Sequence, residues 1–208
     1  MSSINEVLSG LQTVSAWQDR VYKDIHANPE LSFQETKTAA LAASKLKELG
    51  YEVVEGVGRT GVVGVLRNGA GQTVLARADM DALPVKENTG LPYASTPTAT
   101  DMTGETVSVA HACGHDAHVT CLLGAAELLA NARRSWSGTF IVLFQPAEEV
   151  AGGAKAMVED GLPGRIPKPD VAFAQHVLAY PAGTIGTQAG AVLSAGDSIR
   201  ITLHGKGS

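Results

Sequence analysis

The chain has 208 residues, enough for one good core or for one domain and part of another. Its 44% hydrophobic and 18% charged residues are ordinary for a globular protein. Sixteen basic against 21 acidic residues, with no basic block, argue against nucleic acid as a partner, and no apolar run approaches the roughly 20 residues that span a bilayer.

Met1-Ser-Ser-Ile-Asn-Glu-Val-Leu8 has no basic region followed by an apolar core, so it does not read as a signal peptide. Only two cysteines occur, Cys113 and Cys121, where a secreted disulfide scaffold carries more. A reducing cytoplasm is the expected setting.

Leu8, Leu11, Val14, Trp17, Val21 and Ile25 recur at three- and four-residue steps and predict an amphipathic helix over 4–26, ended by Asn28-Pro29. A second helix is predicted from about Glu35 to Leu49, stopped by Gly50. The period then changes. Residues 51–54, 61–66 and 73–78 read as strands, the last two joined through Asn68-Gly-Ala-Gly71 as a hairpin. Residues 88–108, rich in Thr, Pro, Ser and Gly, read as a loop. A helix is expected over 119–132 and another over 153–160, with strands at 139–144 and 171–175. Beyond Gly183 the pattern is β again, and Asp197–His204 alternates like a half-buried strand.

Helices alternating with near-continuously apolar strands predict an α/β fold, with a mixed, largely parallel central sheet flanked by helices. Ligands of such sheets collect beyond the carboxyl ends of the strands. Three strand ends carry polar groups: Asp79 and Asp81, Glu148 and Glu149, and His176.

Cys113-Gly-His115-Asp116-Ala-His118 packs a thiol, two imidazoles and a carboxylate into six residues. Thiolate, imidazole and carboxylate are the ligands of zinc and its neighbours. Cys113 and His115, one residue apart, project to the same side of an extended loop. Glu148-Glu149 is read as one carboxylate on metal and one handling protons, with nothing local to say which does which. His176 gains weight as a ligand from its place beside the other strand ends. Asp79 and Asp81 share a face and are read as orienting a ligand histidine. His26, His118 and His204 are read as structural, His111 as either structural or a ligand, and Cys121 as core.

His26-Ala-Asn-Pro-Glu30-Leu-Ser-Phe-Gln-Glu35, Arg77-Ala-Asp79-Met-Asp81-Ala-Leu-Pro84, Ala112-Cys113-Gly-His115-Asp-Ala-His118 and Gln145-Pro-Ala-Glu148-Glu149 with Gly152-Gly153 together carry a family resemblance. The chain resembles the binuclear-metal amidohydrolases of the aminoacylase/carboxypeptidase clan. Within it, the similarity is to the branch of hippurate hydrolase, bacterial N-acyl-amino-acid amidohydrolases and plant indole-acetyl-amino-acid hydrolases. The resemblance implies Cys113, His115, Glu149 and His176 as metal ligands and Glu148 as general base and acid. It implies hydrolysis of the amide of an N-acyl amino acid by metal-activated water. Two divalent ions, zinc or manganese with nickel or cobalt as further candidates, would be the cofactors.

Relatives in that family are about twice as long and carry an inserted lid or dimerisation domain. The expectation is therefore that residues 1–192 are the N-terminal part of the catalytic domain and 193–208 the opening strand of the lid. The rest of the lid and a late ligand histidine would then lie outside this sequence. A piece so divided is expected to bind metal yet turn over its substrate poorly, and to form homo-oligomers in its full-length form. Two rival readings stand beside this one: a Cys–His nucleophilic hydrolase built on Cys113, and a non-catalytic metal-binding remnant.

Overall fold

In the computed structural model, which describes residues 3–192, 196, 199 and 201–206, helices and strands alternate along the chain. The N-terminal helix is broken in two, α1 (Ser3–Leu8) and α2 (Leu11–Ala27). The break falls at Ser9-Gly10, where the Ser9 hydroxyl donates to the Glu6 carbonyl at 2.7 Å and ends the first helix. Helix α3 (Thr36–Glu48) follows. Its first amide donors are satisfied from a distance: the Glu30 carboxylate accepts from the N–H groups of Lys37 and Thr38.

Next come β1 (Glu52–Val57), β2 (Gly61–Asn68) and β3 (Thr73–Asp79). The segment read as a loop holds a small antiparallel pair, β4 (Thr98–Thr100) and β5 (Thr106–Ser108). Helix α4 spans His115–Asn131, starting four residues earlier than the sequence pattern predicts. β6 (Gly138–Gln145), α5 (Gly153–Glu159), the short α6 (Leu162–Arg165) and β7 (Val171–Ala174) complete the elements.

The five long strands form one mixed sheet in the order β1-β2-β6-β3-β7. β1, β2 and β6 pair antiparallel; β6, β3 and β7 pair parallel. The expected hairpin between β2 and β3 is not made, because β6 lies between them. The physical reason is burial. Phe140 to Phe144 is buried at every position, so this strand needs neighbours on both edges and cover on both faces. The true hairpin is β1–β2, closed at Val57–Gly61.

Alternate residues of the sheet feed two cores. Val62, Leu66, Ala78, Phe140, Val142 and Phe144 pack with Ile25 of α2, Leu46 of α3 and Leu123 of α4. Val63, Val65, Leu75, Ile141 and Leu143 face the other way, onto Met157 of α5 and Leu162 of α6. Gly64 is required where α3 crosses: a Cβ there would stand 2.8 Å from Leu46 Cδ1. Cys121, expected in the core, is exposed; Val119, Leu122, Leu123 and Ala126 form the buried face of α4, and position 121 falls off it.

Contacts divide the chain at Val177/Leu178. The second unit, Leu178–Ser208, is stitched locally, with the Thr184 hydroxyl donating to the Pro181 carbonyl and the Gln188 amide to the Ala191 carbonyl. The strand predicted over 197–204 falls partly on Asp197, Ser198 and Arg200, outside the described residues. Its described neighbours Ile199 and Ile201–His204 pair with no strand. Among the described residues no helix is long and apolar enough to cross a membrane.

Phe144 is fully buried and immediately precedes the acidic loop. Phe144→Ala is expected to cost about 3–5 kcal/mol in urea unfolding; a loss below about 1 kcal/mol would contradict the central place given to β6.

Candidate metal centre

The register puts three strand ends side by side. Asp79 pairs with Gln145, and Arg77 with Ala174, so the carboxyl ends of β6, β3 and β7 open onto one crevice. Arg77 ties two of them, donating to Asp79 Oδ2 at 2.6 Å and to Gln145 Oε1 at 3.0 Å.

The thiol–histidine segment meets this crevice at the Asp79–Asp81 end of β3. Gly114 is left-handed (φ 83°, ψ 16°), so Cys113-Gly114-His115 is a tight turn into α4 and not the extended loop expected from the spacing. The turn is close-packed: a Cβ on Gly114 would approach Val177 Cγ2 to 2.1 Å. His115 is fully buried. Its Nδ1–H donates to the Asp81 carbonyl at 2.8 Å, which leaves Nε2 bearing its lone pair, buried and without a hydrogen-bond partner. That nitrogen stands 3.5 Å from Asp79 Oδ2 and 3.8 Å from both Glu148 Oε2 and Glu149 Oε1.

His176 is likewise set by its Nδ1–H, which donates to the Val177 carbonyl at 2.7 Å and turns Nε2 to within 3.5 Å of Cys113 Sγ. Cys113 lies close enough to the Glu149 carboxylate for that negative charge to act on the thiol. The sequence-predicted ligands Cys113, His115, Glu149 and His176 therefore meet around His115. It belongs both to a trio with Cys113 and His176 and to a trio with Glu148 and Glu149, in each of which the donor atoms lie within 4.8 Å of one another.

This donor set fits a divalent cation. Ligand atoms about 2.0–2.3 Å from a tetrahedral centre are separated by about 3.3–3.8 Å, the range of the gaps around His115 Nε2. Two of the atoms, His115 Nε2 and Glu149 Oε1, are buried with no hydrogen-bond partner. An orphaned lone pair beside an orphaned carboxylate oxygen costs free energy that a shared cation removes.

Electrostatics point the same way. Burial and the neighbouring charges of Glu149, Glu148 and Asp79 push the Cys113 thiol up to about 11. Burial also raises the Glu149 carboxyl. Asp79 is buried too, but the hydrogen bond from His118 and the positive charges of Arg77 and, when it is protonated, His115 outweigh that and hold it at about 2. Asp81 is lowered despite its burial, by the nearby His115 Nδ1, 3.4 Å from Oδ1, and by hydrogen bonds from Ser32 and the amides of Glu149 and Glu148.

The acidic loop is shaped by backbone strain. Ala147 and Ala151 hold positive φ (48° and 51°). Gly153 is obligatory because a Cβ there would lie 1.5 Å from the Pro146 carbonyl oxygen. Asp81 Oδ1 and Oδ2 accept the N–H groups of Glu148 and Glu149, each at 3.0 Å, and aim the two carboxylates. The side chain of Glu149 is 16% exposed and that of Glu148 38%, so the second is the more open of the pair.

Of three histidines read from sequence as structural or undecided, two are placed by tertiary hydrogen-bond partners and one is buried without any. His118 donates from Nδ1 to Asp79 at 2.6 Å and accepts the Val177 N–H on Nε2 at 2.9 Å, so it holds the chain just past His176. His26 is buried between Asp116 (2.6 Å) and Glu87 (3.2 Å). Asp116 is 90 residues away in sequence, so no local signal marks the pair. His111 is buried with neither ring nitrogen hydrogen-bonded, and burial pushes it down to about 4, leaving it neutral.

Burial lowers the His26 pKa, yet hydrogen bonds and charge from Asp116 and Glu87 raise it above the ordinary 6.5 on balance. A raised folded-state value means the stabilisation is fully present below the unfolded value and fades as pH rises through the folded one. In metal-free protein, the gap in Tm between the parent and His26→Gln is therefore expected to be wide below about pH 6.5 and to narrow toward alkaline pH. A gap that widens with pH would contradict the pairing.

Residues 75–207 match the profile of "Peptidase family M20/M25/M40". The chain is 41% identical to thermostable carboxypeptidase 1 of Saccharolobus solfataricus, over 100% of this chain and 51% of that protein. It is 45% identical to the hippurate hydrolase of Campylobacter jejuni, over 91% and 47%. An IAA-amino acid hydrolase of Arabidopsis thaliana is 41% identical, over 86% and 36%. The structure superposes on a dinuclear metal-binding peptidase of Bacillus subtilis with a TM-score of 0.68 and 34% identity, over 79% of this chain and 43% of the other. The chain spans about half the length of the curated relatives it matches. It belongs to the M20/M25/M40 peptidase family, the binuclear-metal amidohydrolases of the aminoacylase/carboxypeptidase clan that its motifs resemble.

Proposed function

We propose that the protein hydrolyses the amide bond of N-acyl amino acids or related conjugates, with Cys113, His115, Glu149 and His176 holding divalent metal and Glu148 moving protons. The observation that carries this reading is the meeting of a thiol, two Nε2 atoms and a carboxylate around the buried His115. The relatives named for hydrolysing hippurate and IAA-amino acids support the substrate class. The Bacillus subtilis neighbour, named for two metals, supports a pair of ions. Zinc suits the mixed sulfur, nitrogen and oxygen donors best, with manganese, nickel and cobalt as the further candidates.

When bound, such ions polarise a carbonyl oxygen and lower the pKa of water toward neutrality. The remaining chemistry belongs to the chain. Glu149, the less exposed acid, faces Cys113 and His115 and is suited to binding. Glu148, the more open one, takes a proton from the attacking water on a carboxylate oxygen and returns it to the leaving amine. Asp81 holds both residues by their amides, and the Asp81 carbonyl fixes the His115 tautomer.

A Cys113 nucleophile is disfavoured. Nucleophilic thiols need a lowered pKa, and burial together with the carboxylates around Cys113 raises it. Two free cysteines support the reading of a reducing, cytoplasmic setting. We assign residues 1–192 to the catalytic domain and 193–208 to the start of a lid, with homo-oligomers formed by the full-length protein.

In zinc-loaded chain, Glu148→Gln should lower hydrolysis of acetyl- and benzoyl-amino acids by at least about 100-fold while metal content stays at the parental level. Chelation should abolish the parental rate, and added zinc or manganese should restore it. Unchanged turnover in Glu148→Gln, or indifference to chelation, would overturn the reading.

A further inference from the structure

Glu35 is a carboxylate that the mechanism above does not use, with 0% of its surface exposed. It occupies the N-cap position of α3 but caps nothing, since Glu30 serves the amides of that helix. Its side chain turns inward, where every partner is a donor. Oε1 accepts the N–H of Phe33 at 2.9 Å and the N–H of Ala147, 112 residues away, at 2.8 Å. Oε2 accepts the hydroxyl of Thr60 at 2.5 Å.

Those partners have a common property. Phe33 (φ 64°) and Ala147 (φ 48°) are left-handed residues that are not glycine, and Thr60 directly follows a third, Arg59 (φ 88°). Arg59 in turn lies over the Phe33 ring at 4.4 Å. Left-handed conformations of residues with a Cβ persist only where the surroundings fix them. The three turns converge on one carboxylate, and one of them leads straight into Glu148. The amides of residues 147, 148 and 149 are thus taken in sequence by Glu35, Asp81 and Asp81.

We infer that Glu35 is a positioning residue of the metal centre: it holds Ala147 in its left-handed turn, so that Glu148 and Glu149 are presented to the site in a fixed orientation. The inference rests on the roles given above to Glu148 and Glu149, and it acts through them without touching substrate or metal. It depends on accepting hydrogen bonds and not on charge. A glutamine keeps an oxygen for the two amides and offers its NH2 to the Thr60 oxygen, whereas an aspartate is one methylene too short to reach both sides.

The test compares Glu35→Gln, Glu35→Asp and Glu35→Met in zinc-loaded protein, by zinc competition against a chromogenic chelator and by steady-state hydrolysis of a benzoyl-amino acid. Circular dichroism and Tm report the fold. Glu35→Gln should stay within about threefold of the parent in zinc affinity and kcat. Glu35→Asp and Glu35→Met, measured well below their Tm, should each lose about tenfold or more in zinc affinity, with kcat falling and KM little changed. Should the methionine variant fail to fold, the aspartate variant decides. A lower Tm with parental zinc affinity and kcat in Glu35→Asp would reduce Glu35 to a fold residue and overturn the inference. So would a glutamine variant as impaired as the aspartate one. If Glu148→Gln leaves the rate unchanged, the base assignment fails, while the zinc affinities of the Glu35 variants still test the positioning role through Glu149.

Discussion

Four stretches of chain are joined at Asp81. Its carboxylate accepts the amides of Glu148 and Glu149 and the hydroxyl of Ser32, while its carbonyl accepts Nδ1–H of His115. These contacts bring together the segment before α3, the end of β3, the start of α4 and the loop after β6. Each is buried or nearly so, where a hydrogen bond to a charged group contributes about 1.5–3 kcal/mol and an unpaired carboxylate costs several. Remove Asp81 and three donors and a carbonyl's partner lose their places together.

The sheet explains why one residue can do this. β6, β3 and β7 are adjacent and parallel, so their carboxyl ends coincide in space although they are distant in sequence. Two apolar cores clamp β6 from both faces and make its end a rigid platform. Onto that platform the chain gathers Asp79, Asp81, Glu148 and Glu149 within reach of a single buried imidazole. Like charges so close repel each other, and the orphaned atoms His115 Nε2 and Glu149 Oε1 add to the cost. A divalent cation bound there would relieve both, which would couple metal binding to folding of the crevice.

Much of this was legible in the sequence because the signals are local. Apolar runs such as Phe140–Phe144 announce buried strands, and polar residues just past them announce a crevice. Cys113, His115 and His176 could be proposed as ligands on residue type and position, whereas the choice of Glu149 over Glu148 came from the family resemblance. What failed had non-local causes. A turn signal at Asn68–Gly71 suggested a hairpin, but strand neighbours are chosen by burial across the sheet, and β6 took the place. The turn at Gly114 differs from an extended loop because α4 begins at His115 and Val177 presses on the glycine. Cys121 reads as apolar by type but sits off the buried face of its helix. The burial of His26 against Asp116, and the contact of Glu35 with Ala147, depend on partners 90 and 112 residues away that no local pattern encodes.

The central claim is that one thiol, imidazole nitrogens and a carboxylate from separate strand ends bind a common cation. X-ray absorption spectroscopy of the zinc-loaded chain tests it most directly. The account predicts a sulfur shell at about 2.3 Å together with nitrogen and oxygen at about 2.0–2.2 Å, the sulfur shell vanishing in Cys113→Ser. A first shell of nitrogen and oxygen alone in the parent, or a spectrum unchanged by that substitution, would contradict it.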